Sequence, residues 1–272
     1  MAKKPYQRSY IDILLPYKEV FTPSNAGAVS TVVSDLAYHT TLKYEFHIYG
    51  RQITSPSFPE LCYHALKPKW PLIYGHNVGL AHSYITDLQR RERQPSLIEV
   101  HGRCQVARTI AKINNTAKVA LFLHNDPRRM TGSKTLAERL WLARNLAGIF
   151  ANSKYIKNCF LDGFSSTEIS QTPIFITPLG ANRNIKNKPF KEKTIIIASR
   201  IVPEKGILQA AIALRDILPD FPEWRVKIIG AKHFRDGTIS DYEKSVKETL
   251  APLQGQAEMA GFLPLAQINK EL

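Results

Sequence analysis

The sequence predicts an α/β protein with two doubly wound domains, the second of them incomplete. Short apolar runs alternate with amphipathic helical segments along the chain, a pattern typical of parallel sheets with helices on both faces. The alternation starts again after the polar, basic segment 182–193, which has the composition of a linker. The remainder of the chain is shorter than the ~100–150 residues of a usual domain. We therefore place the domains at residues 1–188 and 189–272.

Apolar runs bounded by polar or glycine-containing clusters predict the strands of the first domain. They lie at residues 11–15, 44–49, 97–100, 119–123, 148–151 and 174–177. Apolar residues at helical spacing predict its helices. These cover residues 26–41, 135–146 and 154–161. Ser133 is the predicted N-cap of the middle helix, because a serine hydroxyl accepts from the free N–H groups of a first turn.

In the second domain, β-branched and apolar runs predict strands at residues 194–198, 224–229 and 257–261. Amphipathic segments predict helices at residues 205–218 and 240–250, and residues 265–272 have the pattern of a helix that is only beginning. The order of elements is again strand, helix, strand. We therefore expect a second parallel sheet, built to about half of its usual extent.

The amino-acid composition limits the classes of partner and the cellular compartment that we expect for the protein. With 44% hydrophobic and 22% charged residues, the chain resembles an ordinary globular protein, and its net charge of +14 favours anionic partners. Nucleic acid, an anionic membrane surface and phosphate-bearing small molecules are the three candidates. Cys62, Cys104 and Cys159 are far apart, so we expect a reducing, cytoplasmic compartment and neither a disulfide framework nor a structural zinc site. No signal peptide or membrane span is predicted, so any membrane contact would be peripheral.

Ligands of open parallel sheets bind beyond the carboxyl ends of the strands. The first predicted strand is followed by a loop that contains Ser24, Asn25 and Gly27 and leads into a helix. A glycine allows close approach of the backbone to a ligand, and free N–H groups at a helix start attract an anion. The loop lacks the GxGxxG pattern of dinucleotide-binding proteins, and an ordinary capped loop is the alternative interpretation.

Histidines follow two later strands at the same predicted edge. His101 begins the sequence His-Gly-Arg103-Cys, and His124 begins His-Asn125-Asp126-Pro. A neutral histidine can hydrogen-bond a sugar hydroxyl, and either ring has the neighbouring Asp126 as a potential partner. A purely structural role remains the alternative for each. A metal site is not expected, because neither histidine has a second ligand at helical spacing.

In the second domain, Arg200 and Lys205 lie in the turn between a strand and a helix. Arginine can bind two phosphate oxygens at once, lysine supplies a mobile charge, and the following helix start adds partial positive charge. The pair therefore predicts a diphosphate site, with two solvated surface cations as the alternative. No GxxxxGK[ST], HExxH, GxSxG or Asp-x-Asp pattern is present, so the nucleotide is not expected to be held through a metal.

The segment Ile195-Ile-Ile-Ala-Ser-Arg-Ile-Val-Pro-Glu-Lys-Gly-Ile207 resembles the strand–turn–helix of the retaining GT-B glycosyltransferases of family 4, and in particular bacterial lipopolysaccharide and envelope-polysaccharide members. The usual glycine before the arginine is Ser199 here. Further similar segments occur in the family's order along nearly the whole chain. They begin at Ser24, Ile98, Phe122, Ile176, Val226 and Met259.

This resemblance implies a GT-B fold with two Rossmann-like domains and transfer of a hexose from a nucleotide-diphosphate sugar, with retention and without a metal. It assigns the donor diphosphate to Arg200 and Lys205, the reacting sugar to His124, and the donor phosphate and acceptor to the loop around Gly27. Gly230 matches a further strand end. The acceptor is expected to be a glycan or lipid-linked, with the protein at the cytoplasmic face of the membrane.

The resemblance also implies a C-terminally truncated member. The family continues with a glutamate-rich motif that grips the donor sugar and ribose, and no such motif follows the segment Gly261-Phe-Leu-Pro264. Three alternatives to an active transferase therefore stay open. They are a non-catalytic remnant that binds nucleotide or a partner, a basic nucleic-acid-binding protein, and an NAD-dependent enzyme. Dispersed basic residues argue against the second, and the missing GxGxxG argues against the third.

Overall fold

The computed structural model describes residues 9–114, 116–180, 191–232 and 238–271. The chain divides into two compact units, Met1–Asn182 and Arg183–Leu272. The boundary predicted after residue 188 and most of the predicted linker lie outside the described residues.

In the described part of the first unit, seven strands form a sheet in which all neighbouring strands are parallel. Its strands are β1 (Tyr10–Leu14), β2 (Glu45–Arg51), β3 (Cys62–Leu66), β4 (Leu97–His101), β5 (Lys118–Leu123), β6 (Gly148–Ala151) and β7 (Ile174–Ile176). Their order is β3-β2-β1-β4-β5-β6-β7. The order reverses between β1 and β4, the switch point of a doubly wound sheet, where ligands bind beyond the carboxyl ends.

The helices of this unit cover the two faces of the sheet unequally. They are α1 (Ala28–His39), α2 (Pro71–Gln89), α3 (Cys104–Ile113), α4 (Leu136–Asn145), α5 (Lys154–Leu161) and α6 (Ser166–Gln171). The larger core packs α2 to α5 against side chains such as Val100, Leu121 and Ile149. A smaller core packs α1 against Ile11 and Ile13 on the opposite face.

A row of rings crosses the α1 face of the sheet. The register pairs His101 with Phe122, Phe122 with Phe150, and Phe150 with Phe175, so the four side chains point to one face. Successive ring centroids are 4.5, 4.7 and 5.5 Å apart. Phe122 and Phe150 are partly exposed and Phe175 is 52% exposed, so the part of the chain that the structure describes covers this half of the face incompletely.

The second unit has a three-stranded parallel sheet of order β10-β9-β8 within the described residues. Its elements are β8 (Thr194–Ala198), α7 (Ile207–Ile217), β9 (Arg225–Ile229), α8 (Asp241–Leu250), β10 (Ala257–Gly261) and α9 (Leu265–Glu271). Ile207 and Ala211 of α7 pack with Val226, Ile228 and Val246 in one core. The strands are parallel, as the alternation in the sequence predicted, and their order repeats the β3-β2-β1 half of the first unit.

The helix α4 begins differently from the prediction. Its N-cap is Thr135, whose hydroxyl accepts from the Glu138 N–H while the Glu138 carboxylate accepts from the Thr135 N–H. Ser133 is buried instead, and its hydroxyl donates to the Pro127 carbonyl at 2.6 Å. The prediction was wrong because it overlooked the capping box, in which a threonine is followed three residues later by a glutamate.

No helix among the described residues combines the length and the apolar character needed to span a bilayer.

Candidate functional site

A cavity of about 530 Å³ lies on the α1 face of the first unit, beside the carboxyl ends of β4, β5 and β6. Its wall is mainly apolar, from α1 and from strand residues such as Ile13 and Phe150. Polar side chains lie in the same wall. They include Asp35, His39, Glu99, His101, His124 and Asn152. An apolar cavity with a few polar groups is the usual form of a small-molecule site.

His101 and His124 form a hydrogen-bonded pair in this wall. His101 Nδ1 lies 3.1 Å from His124 Nε2, and His101 is 1% exposed. The two strand ends predicted to share an edge therefore meet there. The other nitrogen of His101, Nε2, has no hydrogen-bond partner among the described residues and lies 3.7 Å from Glu99 Oε2. Glu99 was not predicted from the sequence, although alternation along β4 places it on the same face as His101.

The electrostatic setting keeps His124 uncharged. Burial, together with the neighbouring His101 ring, lowers the pKa of His124 to about 4. The imidazole is therefore neutral near pH 7, with one nitrogen as a donor and the other as an acceptor. This is the protonation state expected of a histidine that hydrogen-bonds a neutral hydroxyl.

Asp126 does not pair with either histidine, and the predicted partnership was wrong. Its carboxylate accepts from Arg128, with Oδ2 2.9 Å from the guanidinium, and also accepts from the Arg128 N–H. These bonds lower the pKa of Asp126 and cap the short 3-10 helix Pro127–Arg129. The 3-10 turn that begins at Pro127 places Arg128 next to Asp126, so this arginine, and not a histidine, is the partner of the carboxylate. Asn125 is exposed beside it.

Residues next to the histidine pair have backbone roles. Gly102 has φ +61 and its N–H donates to the Phe122 carbonyl at 2.8 Å, which fixes the turn after β4. The Arg103 guanidinium donates to the Gly102 carbonyl at 2.8 Å. Asn152, which was not predicted from the sequence, donates to the His124 carbonyl at 3.2 Å, and its Oδ1 has no partner among the described residues. It follows β6, so the edge rule that selected the histidines also applied to it.

The start of α1 is occupied by a carboxylate of the protein itself, that of Glu19. Gly27 is the N-cap of α1, and the Glu19 carboxylate accepts from the Ser30 N–H at 3.0 Å. A Cβ at Gly27 would lie 2.5 Å from Glu19 Oε2. Ser24 and Asn25 are exposed in the same loop. The glycine thus allows a close approach of this carboxylate, and an external phosphate would compete with it for the helix start.

In the second unit, Arg200 and Lys205 lie on one exposed turn between β8 and α7. The Arg200 guanidinium is 61% exposed and 4.0 Å from the Glu204 carboxylate. Lys205 ends the 3-10 helix Pro203–Lys205, and Gly206 follows with φ +67. Neither charge is buried, so both are accessible to a ligand. Their role as a diphosphate site stays a prediction.

Gly230 supports this turn from the neighbouring strand. It follows β9 with φ +142, and its N–H donates to the Gly261 carbonyl at 2.7 Å. A Cβ at this position would lie 1.9 Å from the Ser199 carbonyl oxygen. Only glycine therefore fits beside the residue that precedes Arg200.

No protein-family model matches the sequence. The chain is similar to a putative glycosyltransferase, YtcC, of Bacillus subtilis (strain 168), with 23% identity over 259 residues. The alignment covers 89% of this chain and 61% of YtcC. The chain thus spans less than two thirds of the length of that relative.

Solved glycosyltransferase structures share the fold. Anabaena HepE in complex with UDP and glucose has a TM-score of 0.67 at 14% identity, over 97% of this chain and 72% of HepE. A UDP-forming trehalose-phosphate synthase of Burkholderia xenovorans has a TM-score of 0.65 at 13% identity, over 96% and 76%. For the lipopolysaccharide galactosyltransferase WaaB these values are 0.57, 12%, 96% and 70%. The fold is therefore GT-B, as the resemblance implied.

Proposed function

We propose that the protein is a retaining hexosyltransferase of the family 4 type, which moves a hexose from a nucleotide-diphosphate sugar to an envelope glycan or a lipid-linked acceptor. The hydrogen-bonded pair of the buried His101 and the partly buried His124 beside a cavity carries the proposal. Supporting it are the GT-B fold and the similarity to YtcC. HepE binds UDP and glucose, which supports a nucleotide-sugar donor.

The histidine pair has a preferred arrangement of protons. A proton on His101 Nε2 faces the Glu99 carboxylate, 3.7 Å away, and is stabilised by its charge. His101 Nδ1 then accepts from the Nε2–H of His124, 3.1 Å away. His124 Nδ1 remains an acceptor, suited to a sugar hydroxyl. Glu99 and His101 therefore act as positioning residues, because they set the tautomer of the ring that would touch the sugar.

Arg200 and Lys205 would act on the leaving group. When the bond between the sugar and the diphosphate breaks, the diphosphate keeps the electron pair and gains negative charge. Fixed cations stabilise this charge more in the transition state than in the bound substrate. The cationic turn and its helix start supply such charge without a metal, in line with the absence of an Asp-x-Asp pattern.

Replacing His124 by alanine tests the sugar-binding role. Leaving the sugar hydroxyl without its partner costs about 1–3 kcal/mol, so transfer should fall by about 5–150-fold. Transfer of a radiolabelled hexose and binding of the donor nucleotide would be measured separately. His76→Ala, at an exposed position, is the matched control. Unchanged transfer in His124→Ala would refute the role. Nucleotide binding without transfer in the wild type would favour the non-catalytic alternative.

We further propose a peripheral contact with the anionic, cytoplasmic face of the membrane. The start of α2 exposes Trp70 by 56%, Leu72 by 101%, Ile73 by 75% and Tyr74 by 49%. Basic residues Lys67 and Lys69 precede this apolar segment. Exposed aliphatic and aromatic side chains next to lysines match the chemistry of an anionic bilayer surface, where acyl chains lie below the charged headgroups. This contact would bring a lipid-linked acceptor to the protein.

The double variant Leu72→Asp/Ile73→Asp should bind anionic vesicles at least about tenfold more weakly, because it removes two aliphatic side chains worth about 1.5 kcal/mol or more each. Sedimentation with phosphatidylserine-containing and neutral vesicles would measure binding. Ile217→Asp, which changes an isoleucine that is 53% exposed in the second unit, is the control. Equal binding by the double variant and the control would exclude this contact.

A further inference from the structure

Three metal-ligating side chains meet on β2 and β3. His64 Nε2 lies 3.1 Å from His47 Nδ1 and 3.2 Å from Cys62 Sγ. All three atoms lie within 4.8 Å of one another, and no other such group of three or more is found in the ranges that the structure describes. The register pairs His47 with Cys62, and His64 follows two residues later on the same face. We call this set the edge cluster, because β3 is the edge strand.

The spacing of these atoms fits a metal. Zinc bonds imidazole nitrogen at about 2.0–2.1 Å and thiolate sulfur at about 2.3 Å in tetrahedral sites. The ligand atoms of such a tetrahedron are then separated by roughly 3.3 Å between nitrogens and roughly 3.6 Å between nitrogen and sulfur. The two short separations in the edge cluster are within a few tenths of an ångström of these values. The third separation, between the ligand atoms of His47 and Cys62, is at most 4.8 Å, so one of these side chains would move by up to about 1 Å to complete the tetrahedron.

We propose that the edge cluster is a zinc site, with His47, Cys62 and His64 as ligands. Two imidazoles and one thiolate suit a borderline-soft cation and disfavour magnesium and calcium, which take oxygen ligands. Cys62 is exposed, so an ion can reach the site from solvent and a fourth position is open to water. The cation bridges β2 to the sheet edge.

The surroundings support the ligands. Aromatic rings pack on both imidazoles, with Tyr10 5.0 Å from His47 and Tyr49 4.6 Å from His64 between ring centroids. Such packing restricts the rotation of the imidazoles and so pre-orients their nitrogens.

A buried carboxylate lies beside the edge cluster. Asp12, the register partner of His47 on β1, is 0% exposed, and its Oδ1 has no hydrogen-bond partner among the described residues. Arg91 is the counter-ion of both Asp12, at 2.7 Å, and Asp87. Two carboxylates, with one guanidinium between them, therefore lie near the edge cluster.

The edge cluster is separate from the cavity. His47 is the register partner of Asp12, whereas the cavity is lined by Ile11 and Ile13, which alternate with Asp12 along β1. The two sites therefore lie on opposite faces of one sheet. Sugar transfer should not require the zinc, which serves to hold the edge strand. The edge cluster also departs from the sequence-based prediction of no zinc site, which considered the cysteines without the two histidines.

Metal binding by the whole chain tests the proposal. After removal of metal with a chelator, zinc would be titrated by calorimetry and cobalt by absorption, where a thiolate ligand gives a near-ultraviolet charge-transfer band. We expect one equivalent per chain and a higher melting temperature with zinc. His64→Ala should weaken zinc binding by at least about tenfold, since even outer-shell partners contribute about 10–100-fold. Cys62→Ser should abolish the cobalt–thiolate band, and His76→Ala should bind like the wild type.

Either of two results would overturn the proposal. One is no stoichiometric zinc binding by the wild type under reducing conditions. The other is equal binding by the wild type, Cys62→Ser and His64→Ala. Circular dichroism of the metal-free variants would verify folding, and if His64→Ala fails to fold, the exposed and nearly isosteric Cys62→Ser decides the question. Binding is measured without a sugar donor, so the result is independent of the proposed transfer activity.

Discussion

Replacing Arg200 by alanine is expected to lower the rate of sugar transfer by about 10²–10³-fold, the usual cost of removing one group that stabilises charge in a transition state. The loss should appear mainly in kcat, because the diphosphate gains additional negative charge as the sugar departs. The measurement is transfer of a radiolabelled hexose at saturating donor. Binding of the intact donor nucleotide sugar, which has not yet gained this charge, should weaken less.

The local structure explains why this one side chain should matter so much. The Arg200 side chain is exposed, and the Glu204 carboxylate lies 4.0 Å from its guanidinium on the same turn. An exposed pair of this kind contributes little energy and is easily exchanged for a phosphate. The backbone just before Arg200 is joined to β9, because the Ser199 N–H donates to the Ile229 carbonyl at 2.9 Å. The exposed Arg200 guanidinium can thus change its partner while its backbone stays hydrogen-bonded in the sheet.

Two further variants test whether transfer depends on the position and the planar shape of the Arg200 guanidinium and not only on its positive charge. Arg215→Ala removes an exposed, ion-paired arginine from α7 in the same unit and should leave transfer unchanged. Arg200→Lys keeps the charge but loses the planar fork, so it should recover only part of the rate. If Arg200→Ala and Arg215→Ala transferred sugar equally, the assignment of Arg200 to the diphosphate would be wrong.

Much of the fold was predictable because strand and helix patterns are local. The predicted strand at 194–198 and the predicted helix at 154–161 have the bounds of β8 and α5 in the structure. The strand Cys62–Leu66 and the helix Pro71–Gln89 were missed. The strand carries polar residues and lies at an edge. In the helix, buried apolar residues recur at helical spacing from Ala81 to Leu88, but Gly75 with φ +73 interrupts its first turns, whose apolar residues are exposed.

The candidate site could be predicted only from one rule, that residues directly after parallel strands lie at the ligand-binding edge of the sheet. That rule selected His101 and His124, which the structure brings to 3.1 Å. It failed for Asp126, because sequence proximity does not show which partner a carboxylate will choose. The contact of the Glu19 carboxylate with the start of α1 was not predicted for a similar reason, because it depends on the path of the loop between Glu19 and Gly27.

The second large effect is expected from Gly230→Ala, which should destabilise the second unit by more than about 3 kcal/mol. An alanine Cβ would lie 1.9 Å from the Ser199 carbonyl oxygen and 2.8 Å from its carbon. Both atoms belong to the backbone, so no side chain can rotate away, and β8 and β9 would have to separate. The free energy of unfolding from urea titration would measure the loss. Hydrogen exchange of the β8 and β9 amides would locate it.

Gly255→Ala distinguishes this collision from backbone strain alone. Gly255 also has a positive φ, +78, but no atom lies within 4 Å of an added Cβ. Its substitution should therefore cost only about 1 kcal/mol, the price of the left-handed conformation. Equal losses in the two variants would mean that Gly230 is required for its φ and not for its contact with Ser199. A larger loss in Gly230→Ala, together with faster exchange at the end of β8, would show that the strand end bearing Arg200 keeps its shape because a glycine lies beside it.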